Sequence, residues 1–187
     1  MEYTYRKSAF EKPRTYALDE NALVIRGEDM STQSIPYNDI VFVNLVYTPT
    51  RSNSNLYMAI IKSNSAKKIK ISNQEYVKLA TFENRSKDYV KFIKAFHEKL
   101  FQFRMGIKFK KGVGTGLFIL YMAIFWISGL VFLGCSGGSF YVGQWIMGII
   151  FFLATLLNLR LSLQYKKKNK PGVYDPKRIP TKILPSV

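Results

Sequence analysis

The sequence holds a single cysteine and a single histidine among its 187 residues. One cysteine excludes an intrachain disulfide, and Cys135 is internal and follows a long apolar run, so it does not suit a lipoprotein anchor. His97 falls on a predicted helix without cysteine, and Asp88 and Glu98 are poorly spaced to share a metal ion or a proton with it. We therefore expect no metal, no cofactor and no histidine-based catalytic pair, and we predict that His97 lies on the surface.

Acidic residues are also few, since 12 Asp and Glu stand against 28 Lys and Arg and the formal charge is +16. Asp175 is the only carboxylate after residue 113, whereas an enzyme acting on lipid needs a nucleophile or an acid–base pair. The two long apolar runs contain no Asp, Glu, Lys or His, which disfavours an ion or proton path through them. The sequence thus predicts a protein that is not an enzyme. The alternative is an oligomeric channel or transporter component built from the apolar runs.

The apolar runs themselves are Val113–Cys135 and Tyr141–Leu163, each 23 residues long. As helices they would measure about 34 Å, against about 30 Å of bilayer hydrocarbon. A buried helix of a soluble protein is the alternative for one such run, but runs this long occur twice in succession. The uncharged segment Gly134–Phe140 between them has the composition of a tight polar turn. We therefore predict a hairpin of two transmembrane helices.

Basic residues flank the hairpin on both sides, and the connecting loop has none. Because Lys and Arg stay on the cytoplasmic side, this pattern predicts a cytoplasmic-membrane protein with both termini inside. The same residues either set the topology alone or also bind the anionic inner leaflet. Since they follow the membrane boundary, nucleic acid is not expected as a partner. This basic rim comprises Arg104, Lys108, Lys110, Lys111, Arg160, Lys166, Lys167, Lys168 and Lys170.

Glycines mark a candidate seam for helix packing, because small residues allow helices to approach closely. Gly112 and Gly116 form one small-xxx-small pair, and Gly143 and Gly148 lie on the second predicted helix. Packing of the two helices on each other is one interpretation, and a homodimer seam is the other. Asn158 is positioned to hydrogen-bond across the helices.

Before the hairpin, short β-patterned segments alternate with turns. Residues 1–12, with Tyr3, Tyr5 and Phe10, suit either a first strand or an arm lying on the domain. From there the pattern predicts strands, at Thr15–Leu18, Ala22–Arg26, Ser31–Ile35, Ile40–Tyr47, Leu56–Lys62, Lys67–Ser72 and Val77–Phe82. The sixth segment alternates lysine with isoleucine, which places a candidate partner patch on its lysine face, made up of Lys67, Lys68 and Lys70.

An amphipathic helix follows from residue 86, with Ser86 as the expected N-cap. Its apolar residues recur at helical spacing and form one stripe that we expect to pack on the sheet. The stripe consists of Tyr89, Phe92, Ile93, Phe96, Leu100 and Phe103.

The order of about seven strands and one closing helix resembles bacterial membrane proteins that join a pleckstrin-homology-like (PH-like) domain to transmembrane helices. Ile35–Ile40, Lys67–Ile71 and Ser86–Phe103 carry the resemblance, which covers residues 14–104. It implies two nearly orthogonal sheets with one corner plugged by the helix, and no enzymatic activity. In better-known PH domains, basic residues between the first two strands bind phosphoinositide. The turn at Asp19–Asn21 is acidic here, so the resemblance does not imply phosphoinositide binding at that turn.

The C-terminal tail contains four prolines between residues 171 and 185, which exclude a regular helix. Apolar residues stand between these prolines, so the tail packs on its own domain, binds a partner or stays disordered. Its candidate docking residues are Tyr174, Pro176, Ile179, Pro180 and Leu184.

We therefore expect an α+β membrane protein: a PH-like β-sandwich or barrel of about seven strands capped by an amphipathic helix, then two transmembrane helices. The segments are a cytosolic PH-like domain at 1–104, a basic juxtamembrane linker at 105–112, the hairpin at 113–163 and a basic, proline-rich cytosolic tail at 164–187. The expected function is that of a non-enzymatic binding or scaffold module at the inner face of the cytoplasmic membrane. The expected partners are membrane lipids of the anionic inner leaflet and a protein, either an assembly to which the chain is a small subunit or accessory factor, or a second copy.

Overall fold

The computed structural model describes residues 1–48, 55–65, 68–78, 81–103 and 106–185. The chain divides into two compact units. One comprises Met1–Gly112 together with Gly172–Val187, and the other comprises Val113–Pro171. The predicted α+β architecture, with the β part first and two long apolar helices after it, is confirmed.

The first sheet is an antiparallel meander of four strands in chain order. Inward-facing side chains alternate along it, so that Tyr3 lies opposite Tyr16 and Tyr16 lies opposite Ile25. Residues 1–12, which the pattern left undecided, thus supply the first strand. The strands are β1 (Glu2–Tyr5), β2 (Arg14–Leu18), β3 (Ala22–Gly27) and β4 (Thr32–Pro36).

This assignment changes which segment lies between the first two strands. The acidic turn Asp19–Asn21 joins β2 to β3, whereas the loop between β1 and β2 is Arg6–Pro13. That loop carries Arg6, Lys7 and Lys12. The expectation of an acidic turn at this place was therefore wrong, because the sequence pattern left residues 1–12 undecided between a first strand and an arm.

The second sheet has five strands in the order β11-β10-β5-β6-β7. β10 pairs parallel to β5, and β11 pairs antiparallel to β10 through Lys110 with Val173 and Lys111 with Gly172. The segment expected to be a juxtamembrane linker therefore contributes a strand. The five strands are β5 (Ile40–Tyr47), β6 (Tyr57–Ser63), β7 (Ile69–Ser72), β10 (Lys108–Lys111) and β11 (Gly172–Val173).

A separate two-stranded hairpin stands where one last strand was predicted over Val77–Phe82. It pairs β8 (Gln74–Lys78) with β9 (Thr81–Asn84). Both larger sheets are open, so a closed seven-stranded PH-like barrel is not confirmed.

The helix α1 (Ser86–Phe103) supplies much of the core of the β-rich unit. Five of the six predicted stripe residues are fully buried, and Phe103 packs partly buried against the same cluster. The prediction that this face packs on the sheet is confirmed. Ser86 is the first helical residue rather than the cap, and the Asn84 side-chain oxygen accepts the Ser86 N–H at 3.0 Å.

The second unit is a hairpin of α2 (Thr115–Tyr141) and α3 (Trp145–Asn169). Both helices are long and apolar enough to cross a membrane by length and composition. The predicted turn Gly134–Phe140 is wrong, since this segment is helical and the chain reverses at Val142–Gln144. Glycine and serine favour a turn in water. Within an apolar run the backbone groups have no water to hydrogen-bond with, which favours a continuous helix.

Two side-chain hydrogen bonds join the helices of the hairpin. Asn158 donates to the Ser128 hydroxyl at 2.7 Å, which confirms the predicted bond across helices. The Ser136 hydroxyl donates to the Gly148 carbonyl at 2.9 Å.

The four glycines predicted to pack the helices have different environments. Gly148 lies where the helices meet, and a Cβ there would stand 2.6 Å from the Phe140 ring. Gly116 has no described neighbour within 4 Å of such an atom, and Gly143 occupies the turn with φ +77°. Gly112 precedes α2 altogether with φ +76° and ends β10. The seam at Gly112 and Gly116 was therefore wrong for Gly112, which serves the sheet rather than a helix face.

Replacing Gly148 with leucine should destabilise the hairpin by about 1–3 kcal/mol, because the new side chain would displace the Phe140 ring. Gly116→Leu is the matched control, since the same enlargement there meets open space. Thermal melts of both full-length variants in the same mild detergent would measure the difference. Equal melting temperatures would contradict the close packing at Gly148.

Candidate functional site

The loop Arg6–Pro13 is built around the guanidinium of Arg6. Its Nε donates to the carbonyl oxygens of Ser8 at 3.1 Å and Glu11 at 2.9 Å, and its Nη2 donates to that of Ala9 at 2.7 Å. The guanidinium also lies over the Tyr76 ring, 5.5 Å from its centroid. One cation thus satisfies three carbonyls that no sheet partner reaches, which stabilises this arrangement of the loop.

A pocket of about 340 Å³ opens between this loop and β7. Five cations and one carboxylate line it, and Lys7 neutralises the carboxylate of Glu11 at 2.6 Å. The remaining side chains therefore give the pocket a strong positive charge. We call it the basic pocket, and its cationic residues are Lys7, Lys12, Arg14, Lys68 and Lys70.

Two tyrosines from the core also line the basic pocket. Tyr5 and Tyr16 stack with their ring centroids 5.8 Å apart, and the Tyr5 hydroxyl donates to the Lys70 carbonyl at 2.6 Å. Burial raises the pKa of both phenols above the usual value. Both phenols therefore stay neutral at physiological pH. Neither contributes a negative charge that would reduce the positive charge of the pocket.

The structure brings part of the predicted lysine patch into this pocket. Lys68 and Lys70 line it, whereas Lys67 lies outside the described residues. Sequence reasoning missed Lys7, Lys12 and Arg14. The sequence shows four basic residues between positions 6 and 14. They could be assigned to a loop beside the lysine patch only once β1 was known to be a strand.

The C-terminal tail packs on its own domain, which is the first of the three alternatives. Tyr174, Ile183 and Leu184 belong to the buried core, and Ile179 packs against it partly exposed. Pro176 and Pro180 are half-buried beside them, with Pro180 directly before a short 3-10 helix. Residues from both ends of the chain therefore complete one core.

His97 is buried, with 2% of its surface exposed, so its predicted surface position was wrong. Its Nδ1 lies 2.7 Å from the Ile93 carbonyl oxygen and its Nε2 lies 2.7 Å from the Tyr174 hydroxyl. Because a carbonyl only accepts, Nδ1 carries the proton and Nε2 accepts the phenol O–H. Burial lowers the pKa of His97 to about 4, so the ring is neutral at physiological pH.

A second cavity of about 420 Å³ lies beside His97, between α1 and the tail. Its rim carries both signs of charge, from Lys94, Glu98, Lys177 and Arg178. Both nitrogens of His97 are already engaged, which leaves the ring without a free group for acid–base work at this cavity. Within the ranges that the structure describes, no cluster of three or more metal-ligating side chains occurs.

The residues of the predicted basic rim lie on three kinds of structure. Lys108, Lys110 and Lys111 belong to β10, and Lys110 lies 5.6 Å from the Phe42 ring centroid. Lys166, Lys167 and Lys168 occupy the last turn of α3, where the helix dipole favours positive charge. Lys170 follows that helix and Arg160 is exposed within it, whereas Arg104 lies outside the described residues.

The hairpin is inserted between two strands that are neighbours in the sheet. The chain leaves β10 at Gly112, whose N–H donates to the Leu45 carbonyl at 2.9 Å, and returns in β11 at Gly172. The Asn44 amide donates to the Gly112 carbonyl at 3.2 Å and fixes the exit point. Comparison of the chain with protein-family models, curated proteins and solved structures found no match.

Proposed function

We propose that this chain is a non-enzymatic, membrane-anchored binding module. The helices α2 and α3 would span the cytoplasmic membrane with both termini on the cytoplasmic side, and the PH-like β domain would stand at its inner face. The basic residues on both flanks of the hairpin support this orientation. The module would serve as a scaffold or as a small subunit or accessory factor of a membrane protein assembly.

The observation that carries the proposal is the insertion of two apolar helices between β10 and β11 of a folded domain. Most of their large side chains are exposed, for example Ile127, Leu130 and Trp145. The core helices of a soluble protein would be mostly buried instead. Apolar surface of this extent is stable in a bilayer and not in water.

The basic pocket indicates what the domain binds. Several ammonium and guanidinium groups around one cavity attract an anion that can accept several hydrogen bonds at once. A phosphate-bearing group fits this chemistry better than a single carboxylate, because it offers more oxygens and more charge. The pocket would therefore take a phosphate or diphosphate group, from a lipid headgroup or from a soluble molecule.

Pyrophosphate should bind the full-length protein in an uncharged detergent, and the triple change Lys12→Gln, Lys68→Gln and Lys70→Gln should weaken binding at least about 10-fold. The matched control changes Lys166, Lys167 and Lys168 to Gln, which removes the same charge away from the pocket. Isothermal titration at low and high salt would measure both. If both triple variants weakened binding equally, binding would depend on net charge alone. That result would overturn the proposal that the basic pocket is the binding site.

The scaffold role is tested separately by purifying the full-length protein from native membranes in mild detergent. If mass spectrometry identified a protein that co-purifies in stoichiometric amount, the result would support the role of this chain as a subunit of an assembly. Purification with anionic lipid alone would overturn the subunit role.

A further inference from the structure

A narrow groove of about 150 Å³ lies between α2 and α3 on one face of the hairpin. Its walls are mostly apolar and include Trp126 of α2 and Leu159 of α3. Gly129 and Asn158 also line it, and a Cβ at Gly129 would stand 3.4 Å from the Asn158 Oδ1. Because glycine has no side chain, the amide of Asn158 is left uncovered at this point of the groove.

Hydrogen bonds fix the orientation of this amide. The Ser128 hydroxyl donates its only proton to the Phe125 carbonyl at 3.1 Å, so it accepts the bond from the Asn158 Nδ2 at 2.7 Å. The amide oxygen Oδ1 and the second N–H of Nδ2 remain. Neither of them has a hydrogen-bond partner among the residues that the structure describes, and Oδ1 borders the groove.

The two hydroxyl groups at the groove already donate within their own helix. Thr155 donates to the Phe151 carbonyl at 2.9 Å, and Ser162 donates to the Leu159 carbonyl at 3.1 Å. Neither hydroxyl therefore has a proton to offer to Asn158. Among the hydroxyl and amide side chains that line the groove, Asn158 is the one with a donor and an acceptor both free.

Asn158 also lies in the part of α3 that is proposed to cross the hydrocarbon layer. About 20 Å of helix separates it from Trp145, and about 12 Å separates it from Lys166, the first of three lysines in the last turn. Hydrocarbon offers no hydrogen-bond donor, so an amide with unpaired groups is unfavourable there. Arg160 does not supply the donor, because it lies about 160° away around the helix.

We propose that this groove packs against the same groove of a second copy of the chain, with the two Asn158 amides paired across a twofold axis. Each Oδ1 would accept the free N–H of the other amide, so a carboxamide is complementary to itself. Gly129 would allow the second copy to approach the amide closely. The pairing rests on the proposed membrane insertion of α2 and α3, since water would otherwise satisfy the amide.

Sedimentation equilibrium of the full-length protein in a density-matched mild detergent measures the dissociation constant of such a dimer. Asn158→Leu keeps the approximate volume of the side chain and removes the amide, so it should raise the constant at least about 10-fold. Gly129→Leu should act in the same direction, because the new side chain would cover the amide while the bond to Ser128 stays intact.

Two control variants separate the dimer contact from the folding of the hairpin. Ser128→Ala removes the same hydrogen bond between α2 and α3 but leaves the Asn158 amide in place. Gly134→Leu enlarges a glycine of α2 that has no described neighbour within 4 Å. Both variants should leave the dissociation constant nearly unchanged.

Disulfide cross-linking locates the contact on α3. Both copies have the same topology, so the twofold axis is perpendicular to the membrane and equivalent residues meet at equal depth. In a Cys135→Ser background, which removes the only cysteine of the chain, Ser162→Cys should give cross-linked dimers on oxidation. It lies one turn from Asn158 on the same face, whereas Leu156→Cys lies about 160° around the helix and should not cross-link.

Three results would overturn the paired amides. One is a dissociation constant that is the same for the parent and Asn158→Leu, and another is equal cross-linking from the two cysteine positions. The third is a weakening by Ser128→Ala as large as that by Asn158→Leu, which would attribute the effect to the hairpin itself. If Ser162→Cys in native membranes linked to a different protein instead, the groove would belong to that protein and not to a second copy.

Extraction of the native membranes with alkaline carbonate distinguishes this proposal from the proposed membrane insertion. A chain that stays in the membrane but is monomeric keeps the insertion and overturns the pairing. A chain that is released from the membrane overturns the insertion, and the pairing with it.

Discussion

Replacing Val113–Lys170 by Asn-Gly, so that Gly112 is joined to Pro171 through two residues, is expected to give a folded and water-soluble domain. Lys111 and Gly172 are already paired across β10 and β11, so a four-residue loop would close them as a β-hairpin. The excision removes the exposed apolar surface of α2 and α3 and leaves the buried core of the β-rich unit complete. Size-exclusion chromatography and a cooperative thermal melt in detergent-free buffer would measure the result.

The matched control ends the same chain after Gly112. It lacks Tyr174, Ile183 and Leu184, each of which contributes about 1.5–3 kcal/mol by burial, with a further cost for the cavities left behind. The sum is comparable to the whole stability of an ordinary domain, so this chain should not fold. A truncated chain that melts like the excised one would contradict the role of the tail in the core.

Lowering the pH from about 7 to about 5 should reduce the free energy of unfolding of the excised domain by about 2 kcal/mol through His97 alone. The folded pKa is about 4 and the unfolded value is near 6.5, so the unfolded chain binds more protons within this window. Stability is therefore full above the unfolded pKa and is lost as the pH falls toward the folded one. Urea titrations at several pH values would measure the slope.

His97→Gln is the control, because glutamine keeps a donor and an acceptor but does not titrate. The difference in free energy of unfolding between the parent and the variant should change with pH by the amount expected of His97. The carboxylates contribute equally to both proteins and cancel in this difference. NMR offers an independent check, since the chain has one histidine and its ring signals need no assignment. A ring that titrates near pH 6.5 in the folded domain would contradict its burial.

Local periodicity explains what could be predicted. The apolar stripe of α1 repeats at helical spacing, so Phe92, Phe96 and Leu100 could be placed in the core without knowing their partners. The two apolar runs could also be predicted from local sequence, through their length and composition rather than through periodicity.

The errors arose where structure depends on distant residues. His97 is buried because Tyr174, 77 positions later, bonds to its ring, and no local pattern carries that contact. Likewise, Lys7 and Lys12 share a pocket with Lys68 only because β1 meets β7 through the bond from Tyr5 to Lys70. The turn misplaced at Gly134–Phe140 had a different cause, since turn propensities measured in water do not hold within an apolar run.

The place of β11 in the sheet sets an order of events during synthesis. The ribosome makes β1 to β10 and α1 first, then α2 and α3, and only afterwards the strand and the three core side chains that complete the domain. Until residues 172–184 have emerged, the nascent domain has an edge strand without its neighbour and a core with vacant positions. Delivery of the apolar helices would thus precede closure of the domain, and a chain that stalled before residue 172 would present an unfinished core to the proteases and chaperones of the cell.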